Sequence, residues 1–383
     1  MRILQVTPAF PPSAYGGVST HVSLISKGLA GLGHTVWVAT TNRYDLKHVM
    51  TFSGLREADG LRIYYARAYW PGRYSIAPSI LRVLNEWIPA CDIVHIHDTR
   101  TFVGLAAYLI AKNSTVPYVV TCHGSLSVQV GDTALKMIHD RVLGRGLVEN
   151  ASRVIAVTEK EVDDITAFGI PPERIILVPN ALPIEEAMLH DGQAGRSTRS
   201  RAERTILYLG RIHPIKGIDR LVEAFGVVHK SNGAARLLIV GQDYGARPQL
   251  EKIVRKLGLE SKVEFKGPVY GEPKKALLFG ADVLVLPSYS EIFGLVVLEA
   301  FASGLPVIAT NACSIADDLE SAHAGLIVSS VPEMADAIER CLTDDALADQ
   351  LRQGGLTLLR TKYNWQATLA KLEFAYDQSK KSG

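Results

Sequence analysis

Short β-branched apolar runs alternate with helix-length amphipathic segments along most of this chain, and the alternation happens twice. Residues 3–6, 35–39, 93–96, 118–121 and 154–157 are rich in Val, Ile and Leu and show no polar alternation. That is the pattern of parallel strands buried on both faces. Between them, 19–32, 101–111, 133–149 and 159–168 carry a helical period. Such an order implies βαβ units and a parallel sheet covered by helices on both sides. The pattern fades at Pro183 and resumes at Thr205, with apolar runs at 206–209, 237–240, 263–265, 283–286 and 307–309. The expected fold class is therefore α/β: two Rossmann-like doubly wound domains facing across a cleft. Ligands in such sheets sit beyond the carboxyl ends of the strands.

The expected boundaries are 1–185 for the first domain, 186–204 for a linker and 205–362 for the second domain. A C-terminal helix, 363–383, is expected to pack back on the first domain. Residues 191–204 are rich in Gly, Ser and Arg and have no apolar period. They read as a solvated linker, with anion binding by the arginines as the alternative. At 383 residues, the chain buries enough surface to need no disulfide or metal staple. Cys91, Cys122, Cys313 and Cys341 form no CxxC pattern and read as reduced core residues. Lys and Arg number 41 against 39 Asp and Glu, a net charge of +2. That balance gives no support to a nucleic-acid partner. No run approaches the length of a membrane span, and the first residues lack a signal peptide's apolar region, so a cytoplasmic protein is expected.

Several residues fall where a sheet of this kind would offer chemistry. Gly16 and Gly17 precede a helix, where paired glycines let the backbone approach a phosphate; a plain strand–helix turn is the other reading. His123 follows the run 118–121 with Gly124 behind it, so it is either a ligand-edge residue or a hydrogen-bonded turn histidine. His95, His97 and Asp98 end another strand and read as structural or acceptor-side groups rather than metal ligands. Arg211 and Lys216 lie five residues apart in the loop after a strand and can converge on one diphosphate, or stand as two solvated cations.

The sharpest feature runs from Leu286 to Pro306 and contains Glu291 and Glu299. Glu291 falls in the loop after an apolar strand. Glu299 lies within a helix that is apolar nearly all round and hence buried. A buried carboxylate needs a hydroxyl, amide or cation partner. The two hydroxyls of a sugar or ribose fit, as does a buried arginine.

With these motifs in order, the chain resembles the family-4 retaining glycosyltransferases of the GT-B fold. The resemblance rests on Glu291 and Glu299 within Ser-x-x-Glu-x-Phe-Gly-Leu-x-x-Leu-Glu-Ala, and on Gly-Arg-x4-Lys-Gly from Gly210 to Gly217. The early Gly-Gly-Val, the pair His123-Gly124 and the string from Ala302 to Thr310 also match. It departs from the family after Thr310, where Asn311 to Asp318 replace a glycine-rich turn.

The resemblance implies a glycosyltransferase that moves a sugar from a nucleotide-diphosphate sugar to an acceptor hydroxyl, retaining anomeric configuration, in glycan, glycolipid or polysaccharide biosynthesis. It implies that Glu291 binds donor-sugar hydroxyls and Glu299 the ribose, and that Arg211 and Lys216 hold the diphosphate. Backbone amides of Phe293, Gly294 and Leu295 would meet sugar and phosphates, and Gly16 and Gly17 would approach the diphosphate. His123 would lie near the sugar's reacting face, and the base near Val269 and Tyr270. No DxD motif occurs to hold a divalent ion, so no metal and no cofactor are expected. The donor is expected to be a UDP-sugar first and a GDP-sugar second. A sugar-nucleotide epimerase or hydrolase of the same fold, and a non-catalytic sugar-nucleotide-binding protein, remain as alternatives.

Two stretches suggest a sugar or lipid-linked acceptor, or a peripheral contact with the inner face of the membrane. One is the aromatic and basic run 69–74 with the apolar segment 76–88. The other is the set Lys136, His139, Arg141 and Arg145 on one expected helix. Core packing and solvated charge explain both equally well.

Overall fold

The computed structural model describes residues 1–13, 16–45, 48–69, 75–126, 144–184, 204–231 and 233–381. It falls into two compact units, Met1–Asn180 with Gln366–Gly383, and Ala181–Trp365. The boundary thus lies at Asn180, ahead of the expected linker. Leu182 and Ile184 already pack against the core of the second unit. Linker residues 186–203 and expected helical residues 133–143 lie outside the described residues.

The first unit runs β1 (Arg2–Val6), α1 (Gly17–Gly31), β2 (Thr35–Thr41), β3 (Gly54–Ala58), β4 (Leu61–Ala66), α2 (Ile80–Trp87) and β5 (Ile93–His97). It continues with α3 (Phe102–Ala111), β6 (Tyr118–Thr121), α4 (Arg145–Glu149), β7 (Arg153–Ala156), α5 (Glu159–Ala167) and β8 (Ile175–Leu177). The strand order is β3-β4-β2-β1-β5-β6-β7-β8, parallel throughout except for β3 against β4. The hairpin of β3 and β4 escapes the apolar-run pattern because β3 is an edge strand, exposed along most of its length. Asp59 and Gly60, both at positive φ, make its two-residue turn. Thr101 and Thr158 cap α3 and α5 by accepting the backbone N–H of Gly104 and Glu161.

The second unit runs β9 (Arg204–Leu209), α6 (Ile218–Ser231), β10 (Ala235–Val240), α7 (Arg247–Leu257), β11 (Val263–Lys266), α8 (Gly271–Gly280) and β12 (Val283–Leu286). Then come α9 (Leu295–Ala302), β13 (Val307–Thr310), α10 (Ala316–Ser321), β14 (Gly325–Val328), α11 (Val331–Thr343) and α12 (Asp345–Arg360). Its sheet is parallel in the order β11-β10-β9-β12-β13-β14. Alternate residues feed opposite cores: Ile206 and Tyr208 of β9 pack on one face, Leu207 and Leu209 on the other.

A last helix, α13 (Trp365–Lys380), belongs almost wholly to the first unit. Its Thr368 hydroxyl donates to the carbonyl of Pro179, and its buried Tyr376 reaches β1 and β5. All four cysteines are free and buried. Among the described residues no helix is long and apolar enough to cross a membrane.

Each sheet reverses its winding once, between β1 and β5 in the first and between β9 and β12 in the second. The two loops leaving the strands at such a point diverge to opposite faces and leave a crevice at the carboxyl edge.

Candidate functional site

In the second unit, the loops after β9 and β12 leave that crevice side by side. Gly217, at φ 60, packs so closely on the other loop that a Cβ there would lie 2.0 Å from the carbonyl oxygen of Pro287. The backbone N–H of Tyr289 donates to the carbonyl of Ile215 at 2.9 Å. This contact brings Lys216 to Glu291, Nζ to Oε2 at 2.6 Å, with both side chains mostly buried. Arg211 rides above the ring of Tyr244, 5.7 Å from its centroid, and its carbonyl accepts the Tyr208 hydroxyl. Its guanidinium forms no salt bridge among the described residues.

The atypical stretch after Thr310 has a structural task. Glu291 pairs in parallel with Cys313, its N–H donating to Ala312 and its carbonyl accepting from Ser314 at 2.8 Å. Asp318 accepts from Lys362 at 2.6 Å and from the Tyr363 hydroxyl at 2.5 Å. The Tyr363 ring meets Phe293 edge-on at 5.3 Å. The departure from the family pattern therefore fixes the backbone of Glu291 and buries the side chain of Phe293.

Gly294, at φ 70, precedes α9, whose first turn has no side-chain cap. The leading N–H groups of a helix have no intrahelical acceptor, so the amides about Leu295 face a natural place for an anion. Further along, Glu299 receives Lys274 of α8, Nζ to Oε1 at 2.5 Å. Its Oε2 is buried with no hydrogen-bond partner among the described residues. Of the partners left open for Glu299 (hydroxyl, amide or cation), Oε1 has a cation, a lysine from a neighbouring helix rather than an arginine, which sequence reasoning did not single out. Val269 packs against the same core as α9, and Tyr270, mostly exposed, precedes α8.

In the first unit, Gly16 takes φ 93 just ahead of α1, with no side-chain cap. His123 and Gly124 both lie at positive φ. The Gly124 N–H donates to Glu161 Oε1 at 2.6 Å, and the Val157 N–H to Oε2 at 2.7 Å. Burial pushes the Glu161 carboxyl up to about 7, against the pull of those two donors. This tie escaped the sequence reading, although Thr-x-x-Glu at 158–161 marks a helix start in which such a glutamate is common.

His123 stands in a cluster with His21, His95 and His97. Its ring stacks on His97 at 5.4 Å and meets His21 edge-on at 5.4 Å. Burial, with neighbouring rings, holds His95, His97 and His123 well below the usual imidazole range, and burial alone lowers His21 to about 4. All four are neutral at pH 7. No group of metal-ligating residues occurs among the described residues.

Of the two acceptor stretches, 70–74 and Lys136, His139 and Arg141 lie outside the described residues. Arg145 pairs with Glu149 at 2.6 Å. Within 76–88, Ile80, Val83, Leu84 and Trp87 are buried in the core of the first unit.

Two Rossmann-like units with these loops at their switch points define a GT-B glycosyltransferase. The sucrose-phosphate synthase of Thermosynechococcus elongatus has the same fold, with a TM-score of 0.80, 23% identity and 98% of each chain covered. The Anabaena protein Alr3699/HepE, solved with UDP and glucose, matches with a TM-score of 0.75 and 18% identity over 98% of this chain and 99% of that one. Residues 15–186 match the family described as Glycosyltransferase Family 4, and residues 203–344 that described as Glycosyl transferases group 1. A D-inositol 3-phosphate glycosyltransferase of Streptomyces bingchenggensis is 30% identical over 310 residues, 75% of this chain and 67% of the relative. The chain belongs to the family-4 glycosyltransferases, and it is a transferase.

Proposed function

We propose that this enzyme moves a sugar from a nucleoside-diphosphate sugar to an acceptor hydroxyl with retention of configuration and without a divalent ion. The observation that carries the reading is the ion pair of Lys216 with Glu291 beside the uncapped start of α9, with Arg211 on the same loop after β9 as Lys216. Breaking the anomeric C–O bond leaves negative charge on the diphosphate. Two cations and a helix N-terminus preorganised at that place stabilise the charge as it develops.

In this reading Glu291 accepts from donor-sugar hydroxyls and Glu299 from the ribose. The amides of Phe293, Gly294 and Leu295 and those of Gly16 and Gly17 meet the phosphates, and the base lies by Val269. His123 touches the sugar near its reacting face. The acceptor oxygen attacks on the face the phosphate leaves. A new C–O bond forms as the old one breaks, and the acceptor's proton passes to the departing phosphate oxygen. Alr3699/HepE with bound UDP and glucose supports UDP as the first donor nucleotide to try, with GDP second.

The test is a thermal-shift panel of sugar nucleotides followed by turnover in EDTA. A tight donor raises the melting temperature by mass action, and nucleoside diphosphate is released at an unchanged rate under chelation. No shift with any sugar nucleotide, or activity lost in EDTA and restored by magnesium, overturns the reading.

A further inference from the structure

Three of the four clustered histidines have no task in the transfer proposed above, yet two of them, His97 and His95, are joined to His123 by a chain of directed hydrogen bonds. His123 Nε2 lies 3.1 Å from His97 Nδ1, and His97 Nε2 lies 2.7 Å from the Gln5 side-chain oxygen. The Gln5 amide nitrogen donates to the Tyr376 hydroxyl at 3.2 Å. That hydroxyl lies 2.8 Å from His95 Nδ1, and His95 Nε2 lies 2.7 Å from the Thr121 hydroxyl. Gln5, His95, His97, Thr121 and Tyr376 are all buried.

The chemistry of each atom gives the chain a direction. An amide oxygen only accepts, so His97 donates from Nε2. A neutral imidazole carries one proton, so His97 Nδ1 is bare and only accepts. His123 must then donate from Nε2, which leaves its Nδ1 as a lone pair. The low proton affinity that burial imposes on these rings keeps them neutral and the chain intact. His123 Nδ1 makes no hydrogen bond to a described residue. The backbone beneath it is pinned through Gly124 and Glu161. What the protein still has to choose is the tautomer, and Gln5 chooses it: turning its amide over reverses every donor back to His123.

We propose that His97, Gln5 and Tyr376 are positioning residues that hold His123 in its Nε2–H tautomer, so that Nδ1 accepts a hydrogen bond from a hydroxyl of the donor sugar. The proposal rests on the reading that His123 touches that sugar. Tyr376 comes from the C-terminal helix, so α13 carries a functional as well as a packing role.

The test has two arms. In the first, long-range proton–nitrogen correlation spectra of the 15N-labelled free protein, with His123 assigned by its loss in His123→Ala, report which ring nitrogen holds the proton. A bare Nδ1 is expected, and a protonated Nδ1 overturns the proposal whether or not the protein turns over sugar nucleotides. In the second, Gln5→Met and the milder Tyr376→Phe are assayed with UDP-glucose. The expected result for Gln5→Met is a mixed tautomer at His123, a fall in kcat of about tenfold and a donor KM within about twofold of wild type. In the His123→Ala background, Gln5→Met should cost nothing further. An equal loss in both backgrounds shows a merely structural role and overturns the proposal.

Discussion

Lys216 and Glu291 hold each other at 2.6 Å, each side chain less than one fifth exposed. Without a ligand, the cation proposed to meet the diphosphate is neutralised by the carboxylate proposed to meet the sugar. Glu291→Gln releases that cation, so affinity for UDP alone should rise severalfold. Turnover should fall by about a hundredfold or more, as when a preorganised transition-state contact is removed. Calorimetry with UDP alongside steady-state turnover checks both, and a parallel loss of UDP affinity would contradict the coupling.

The same pair depends on a glycine. A Cβ on Gly217 would sit 2.0 Å from a backbone oxygen, at a φ that L-residues adopt at a cost. Gly217→Ala must push the loops after β9 and β12 apart. A loss of at least about 2 kcal/mol in urea unfolding is expected, with weaker UDP binding, because Lys216 moves with the loop. Wild-type stability in this variant would rule out the close approach.

The sheets were legible because their strands are buried on both faces and read as unbroken apolar runs, as at 206–209 and 283–286. The β3–β4 hairpin was not, since β3 is an exposed edge strand and only Asp59-Gly60 marked it. Glu291 and Lys216 were legible as residues at strand ends, but their ion pair was not. It requires β9 and β12 to be neighbours, which chain order alone does not give. Lys274 and Tyr376 carry no local signal at all: each earns its place through a partner on another element, Tyr376 through His95, 281 positions away. Asn311 to Asp318 looked like a departure from a ligand loop, and their backbone bonds to Glu291 appear only in three dimensions.

Lys274 offers a cleaner cycle. Removing it with Lys274→Met leaves Glu299 a largely buried carboxylate with no partner on either oxygen among the described residues, since Oε2 already has none there. The expected cost is about 1–3 kcal/mol in denaturant unfolding. Lys274→Met with Glu299→Gln should recover most of it, because the neutral amide does not demand a counter-charge. Additive losses in the double variant would mean that the pair is not coupled.

Acid stability follows from two buried groups of opposite sign. His21 is lowered to about 4 by burial against an unfolded value of about 6.5. The unfolded chain therefore binds the proton first, and this group's stability is complete above pH 6.5 and lost as the pH falls towards 4. At pH 5 the loss is about 2 kcal/mol. His21→Leu, which also removes a buried Nδ1 with no partner, should gain about 2 kcal/mol more at pH 5 than at pH 7.5. Glu161 is raised to about 7, so the folded state holds its proton longer, and its contribution is complete below about pH 4.5 and lost as the pH rises to 7. Glu161→Gln should therefore look better, relative to wild type, at pH 7.5 than at pH 5, by about 2 kcal/mol. Urea titrations of the three proteins at both pH values decide it, because the two variants must shift in opposite directions; a common direction would refute the assignment of the proton in at least one of them.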